Sequence, residues 1–203
     1  MYNIAERGVM SNQKSKTEAR GGTPFRLEVA GDFLLLLTLT WFFCGGLTLA
    51  ALALAAAVHE LGHAAVMVFQ GQLPRSLRLD AAGLCLRCEP AEGEGRELLR
   101  TLAGPAAGLL LAMLLGESGI PFFRLAASAS LALSGLNLLP ASCLDGGRLI
   151  RSLAVLTLGS MPADRLGAVL DWACILLFLC MGFGGRGDWL LWGVWLLYHR
   201  LRS

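Results

Sequence analysis

From Phe33 to Phe69 the chain carries one formal charge, Glu60, and two imidazoles, His59 and His63. A run this apolar suits a bilayer, whose hydrocarbon layer of about 30 Å is crossed by ~20 apolar residues. As one helix it would extend roughly 55 Å, nearly twice that thickness. The doubled glycine Gly45-Gly46 is the natural break, leaving a short first span and a second of about Leu47–Phe69. A second uncharged run, Leu125–Leu144, points the same way. Composition agrees: 55% of the 203 residues are apolar and 16% charged, whereas a soluble domain is about 25% charged. A soluble globular fold, a disordered chain, a collagen-like chain and a small disulfide scaffold are excluded. The net charge of +2 is too small to argue for a nucleic-acid partner.

Further apolar segments at about 98–115, 121–139, 166–183 and 188–199 complete six spans, with a helical segment at Arg148–Leu158 between the fourth and fifth. Leu77/Leu79 and Leu84/Leu86 alternate around Ala81-Ala82-Gly83, which predicts a β-hairpin. Phe25, Leu27 and Val29 alternate with Arg26 and Glu28, the pattern of a short strand at the membrane surface. The expected architecture is an all-α polytopic membrane protein of about six transmembrane helices with a small membrane-surface hairpin or sheet. Residues 1–24 are polar and read as a disordered cytoplasmic tail, not a signal peptide, ahead of a membrane domain at 25–203.

The positive charges set the orientation. With a cytoplasmic N-terminus, fifteen of the 17 Lys and Arg fall inside, and only Arg124 and Arg186 outside. Both termini are then cytoplasmic. The six cysteines suggest no pairing framework. Cys85-x-x-Cys88 could be half of a zinc knuckle, but no second half exists, and ordinary reduced thiols are the simpler reading.

His59-Glu60-Leu61-Gly62-His63 carries the chemistry. Residues four apart share one helix face, so both imidazoles can reach one metal ion. Glu60 lies beside them, placed to act on a water rather than to bind the ion. His63 stands roughly 9 Å inside the span's end at Phe69, where an uncompensated carboxylate nearby costs at least ~2.5 kcal/mol. The bland alternative is a pair of histidines that hydrogen-bond neighbouring helices. A hydrolytic zinc site needs a third protein ligand and an open position. Asp145, Asp171 and Asp80 are the candidates. Asp145 could equally cap the helix that follows it, Asp171 could pair with a nearby polar group, and Asp80 suits a turn.

His-Glu-Leu-Gly-His in a membrane span, followed by Asn137-Leu-Leu-Pro140-Ala-Ser-Cys-Leu144-Asp145-Gly146-Gly147-Arg148, resembles the site-2 protease family of intramembrane zinc metalloproteases. The compact layout is most similar to its stage IV sporulation branch, which processes a sporulation sigma factor. Gly45-Gly46, the hairpin, and Ala103-Gly104-Pro105 opening the third span fit that branch. The lack of a PDZ-like insert between the third and fourth spans argues against the envelope-stress branch.

The resemblance implies one zinc ion per chain held by His59, His63 and Asp145, with Glu60 as general base. It implies that Asn137 and Pro140 shape a substrate groove, and that the hairpin pairs with an unwound substrate segment by strand addition. The substrates would be membrane-associated or single-span proteins cut near the cytoplasmic face of a bacterial cell membrane. The partners would be those substrates, the lipid bilayer and a regulatory membrane protein. Two positions depart from the pattern: Gly108, where relatives often carry a polar residue, and Cys143, where proline is frequent. The competing function classes are a catalytically silent protein that binds membrane proteins, and a zinc transporter.

Overall fold

The computed structural model describes residues 26–72, 76–80, 83–87, 93–184 and 187–202. The expected tail at 1–24, Phe25, the hairpin turn at 81–82 and Cys88 lie outside the described residues.

Strand β1 (Arg26–Val29) leads into helix α1 (Gly31–Phe69), and β2 (Ser76–Asp80) and β3 (Gly83–Arg87) follow. The remaining helices are α2 (Glu94–Gly116), α3 (Pro121–Asn137), α4 (Asp145–Leu158), α5 (Ser160–Phe183) and α6 (Gly187–Arg202). Helices α1, α2 and α5 are long and apolar enough to cross a bilayer. Helix α3, with 17 residues, spans about 26 Å at 1.5 Å per residue, and α6 has 16.

Helix α1 is broken where the doubled glycine predicts. Gly45 takes φ +82° and ψ 162°, a region that glycine enters freely and residues with a Cβ only under strain. The two halves can therefore run at different inclinations. Three other helices start three to six residues ahead of their expected segments, α5 at Ser160 and not about 166. Helix α2 reaches back to Glu94 because Arg96, Glu97 and Arg100 find partners there, and acidic residues in its first turn suit the positive end of the helix dipole. Ala103-Gly104-Pro105 therefore lies inside α2, not at its opening. Helix α4 starts at Asp145, ahead of the expected Arg148.

The strands form one sheet in the order β1-β2-β3. The predicted hairpin β2–β3 is antiparallel, with Leu77 opposite Leu86, Leu79 opposite Leu84, and Gly83 already in β3 opposite Asp80. Strand β1 adds to it in parallel, with Leu27 opposite Leu77 and Val29 opposite Leu79. The sheet rests against α1.

Helix α1 packs on α2 and α3, and α2 also packs on α3 and α4. The buried faces are made of small residues, including Ala51, Ala55, Ala126 and Ala127. Lipid is as apolar as a leucine side chain, so helices in a bilayer associate through close backbone approach and not through hydrophobic burial. Trp41, Phe42 and Phe43 correspondingly point outward from α1. Helices α5 and α6 form a second packed unit around Ala141, Cys174, Ile175, Phe178 and Leu196.

Candidate metal centre

His59 and His63 lie one turn apart on the inner face of the second half of α1, 3% and 6% exposed. Room for them comes from α2: a Cβ at Gly104 would stand 2.2 Å from Nε2 of His63. Asp145 arrives from the other side. Leu144, not Asp145, occupies the N-cap position of α4, and the Asp145 carboxylate turns inward. The tight turn that delivers it depends on Gly146 and Gly147. A Cβ on either would lie 2.1 Å from a carbonyl oxygen, of Leu138 and of Ala141 respectively.

Three atoms then converge. Asp145 Oδ2 is 3.1 Å from His59 Nε2 and 3.2 Å from His63 Nε2, and the two nitrogens are 3.2 Å apart. Nδ1 of His63 donates its hydrogen to the carbonyl oxygen of Arg100 at 2.8 Å. A carbonyl only accepts, so in neutral His63 the proton sits on Nδ1 and Nε2 presents a bare lone pair. That lone pair faces a carboxylate oxygen. Such an arrangement is repulsive unless a proton on Nε2 or a metal ion lies between them. Donors at ~2.0–2.1 Å from a tetrahedral ion stand roughly 3.3 Å apart, so this triangle fits zinc in size and donor chemistry.

No known family's sequence profile matches the chain. A zinc metalloprotease of Methanocaldococcus jannaschii is 28% identical over 136 residues, covering 62% of this chain and 39% of the relative. The chain spans about two fifths of that relative's length. The solved site-2 protease from Methanocaldococcus jannaschii superposes with a TM-score of 0.68 at 23% identity, covering 86% of this chain and 88% of that one. The fold is that of a site-2 protease.

Within this site-2 protease fold Glu60 is half-buried beside the donors. One of its carboxylate oxygens and one ring nitrogen each of His59 and His63 all lie within 4.8 Å of one another. The other two carboxylates weighed as ligands are elsewhere. Asp171 accepts the Ser142 N–H at 2.7 Å and has Nε of Arg200 at 3.6 Å, the polar pairing that was the alternative for it. This bond also pins the loop ahead of Asp145 that carries Cys143. Asp80 ends β2, opposite Gly83.

Asn137 ends α3 and donates to the Leu133 carbonyl one turn back at 3.1 Å. It also lines a cavity of about 360 Å³, otherwise walled by Leu36, Leu133, Leu144, Trp192 and Trp195 among others. Pro140 is half-buried in the turn between α3 and α4. Gly108, a departure from the pattern in the sequence, faces Ser134 of α3. Ser134 is fully buried, and its Oγ would lie 2.2 Å from a Cβ at position 108.

Nothing local in the sequence singles out Arg100 or Glu97. Arg100 is 1% exposed, donates to Gln72 and to Gln70 at 3.4 Å, and presents its carbonyl to His63. In sequence it looks like any basic residue at the end of an apolar segment. Only the packing of α1 on α2 shows otherwise.

Proposed function

We propose that this chain is an intramembrane zinc metalloprotease of the site-2 protease family, most similar to its stage IV sporulation branch. It hydrolyses peptide bonds of membrane-associated or single-span proteins near the cytoplasmic face, with both termini cytoplasmic. The observation that carries this reading is the convergence of His59 Nε2, His63 Nε2 and Asp145 Oδ2 within 3.2 Å, with Glu60 alongside.

His59, His63 and Asp145 would hold the ion, which when bound supplies Lewis acidity and makes a water acidic enough to ionise near pH 7. The Glu60 carboxylate takes the proton from the attacking water and passes it to the leaving amine nitrogen. Burial of the donors keeps bulk water from competing. Asn137 and Pro140 shape the groove that receives an unwound segment, and the apolar cavity beside Asn137 supports that role. The hairpin offers strand partners to backbone groups that have no water to bond. The α2–α3 connection, short and without an inserted domain, supports the compact branch.

The test co-expresses the full chain with single-span reporters bearing cytoplasmic N-terminal tags, comparing wild type with Glu60→Gln. Tag release into the soluble fraction should depend on Glu60, while the purified variant still binds zinc. Equal release by the variant would overturn the mechanism. No release, from a wild-type protein that purifies without zinc, would overturn the reading.

A further inference from the structure

We propose that Glu97 is a positioning residue for the metal donors, acting from the first turn of α2 on both sides of the site at once. The proposal rests on the metal-site reading above. One Glu97 oxygen, Oε1, accepts a hydrogen bond from Nη2 of Arg148 on α4. The other, Oε2, is 3.5 Å from Nη1 of Arg100, three residues along α2. Each guanidinium is one step from a different donor.

Arg148 Nη1 is 3.8 Å from Asp145 Oδ1, the carboxylate oxygen that does not face the histidines. It steadies that carboxylate with Oδ2 turned inward. Arg100 holds its main-chain carbonyl against Nδ1 of His63 at 2.8 Å, which sets both the tautomer and the ring's orientation. The Arg100 side chain is 2% exposed, and a cation so buried requires a carboxylate to balance it. Glu97 balances it, and in the same move joins α2 to α4. An acidic residue in a first turn also suits the helix dipole, but Glu94 in the same turn meets that need. The dipole does not explain why both Glu97 oxygens are spent on arginines of two helices.

Glu97→Gln keeps the shape and removes the charge, so it separates positioning from packing. The full chain, purified in detergent, is titrated with zinc against a competing chelator. Changes to groups that orient metal ligands typically cost 10–100-fold in affinity; Glu97→Gln is expected to fall in that range, and its apo-state unfolding temperature should fall as well, because the buried Arg100 cation loses a balancing carboxylate. Glu97→Asp, which keeps the charge on a shorter arm, should recover part of the loss. Because Glu97 acts partly through Arg148, adding Arg148→Gln to Glu97→Gln should cost less than the two single losses combined. Zinc affinity of Glu97→Gln within about twofold of wild type, or losses that simply multiply in the double variant, would overturn the proposal. If the wild type itself binds no zinc, the metal-site reading fails and takes this proposal with it. The wild-type titration therefore distinguishes the two failures.

Discussion

Gly104→Ala should disable the metal centre by one methyl group. A Cβ at position 104 would lie 2.2 Å from Nε2 of His63, 2.5 Å from Cε1 and 2.7 Å from Cδ2. Non-bonded carbon contacts settle near ~3.5 Å, so the ring must retreat by about 1 Å or α1 must move away from α2. The ring has little freedom, because Nδ1 is held by the Arg100 carbonyl at 2.8 Å. Either response moves Nε2 out of its triangle with His59 and Asp145. Metal–donor distances tolerate only about 0.2 Å, so one of three ligands is in effect lost. Disturbing a group that merely orients a ligand costs 10–100-fold; displacing the ligand should cost about 100-fold or more. The assay is chelator competition for zinc on the detergent-purified full chain, alongside thermal unfolding of the metal-free form. Gly135→Ala in α3 is the control. A Cβ there meets nothing within 4 Å, so the change should be neutral or stabilise by up to about 1 kcal/mol. A Gly104→Ala protein that binds zinc within about threefold of wild type, with an unchanged unfolding temperature, would refute the argument from contact distances.

Two further outcomes follow from the same packing. Gly108→Ala should destabilise the protein, because its Cβ would meet Ser134 Oγ at 2.2 Å while Ser134 Cβ sits at an ordinary 3.6 Å. Adding Ser134→Ala should then restore stability, with a coupling of about 0.5–3 kcal/mol in a double-mutant cycle by detergent unfolding; additive effects would count against the contact. Gly45→Ala should cost about 1–3 kcal/mol by the same measurement, since φ is +82° and ψ 162° there. No loss would mean that the break in α1 is not held at that residue.

The Glu60→Gln and Glu97→Gln tests probe different links in the same site. The first asks whether a proton acceptor beside the donors is needed for cleavage. The second asks whether the donors' supports are needed for binding. Their expected signatures are opposite: zinc kept and cleavage lost for Glu60→Gln, zinc weakened for Glu97→Gln. Finding both variants weak in zinc would mean that Glu60 also helps to hold the donors.

Much of this protein is written in local pattern. Residues four apart share a helix face whatever surrounds them, so His59 and His63 could be paired from spacing alone. Hydrophobic runs report spans because a bilayer leaves backbone groups no partner outside a helix, and a doubled glycine marks a break because glycine alone enters positive φ without penalty. Alternating leucines likewise announced the hairpin, while its register, with Asp80 opposite Gly83, came from the structure. What spacing could not decide was which carboxylate meets the histidines. Asp145, Asp171 and Asp80 are chemically alike, and Asp145 joins from 82 residues beyond His63 only because Gly146 and Gly147 let α4 start beneath the Leu138–Ala141 turn. The same holds for the residues around the donors. Arg100 and Glu97 stand among polar neighbours at the edge of a span, and nothing local separates a buried arginine from a solvated one. That distinction exists only once α1, α2 and α4 are packed. Burial and charge balance belong to the assembled helices, while periodicity belongs to each segment alone.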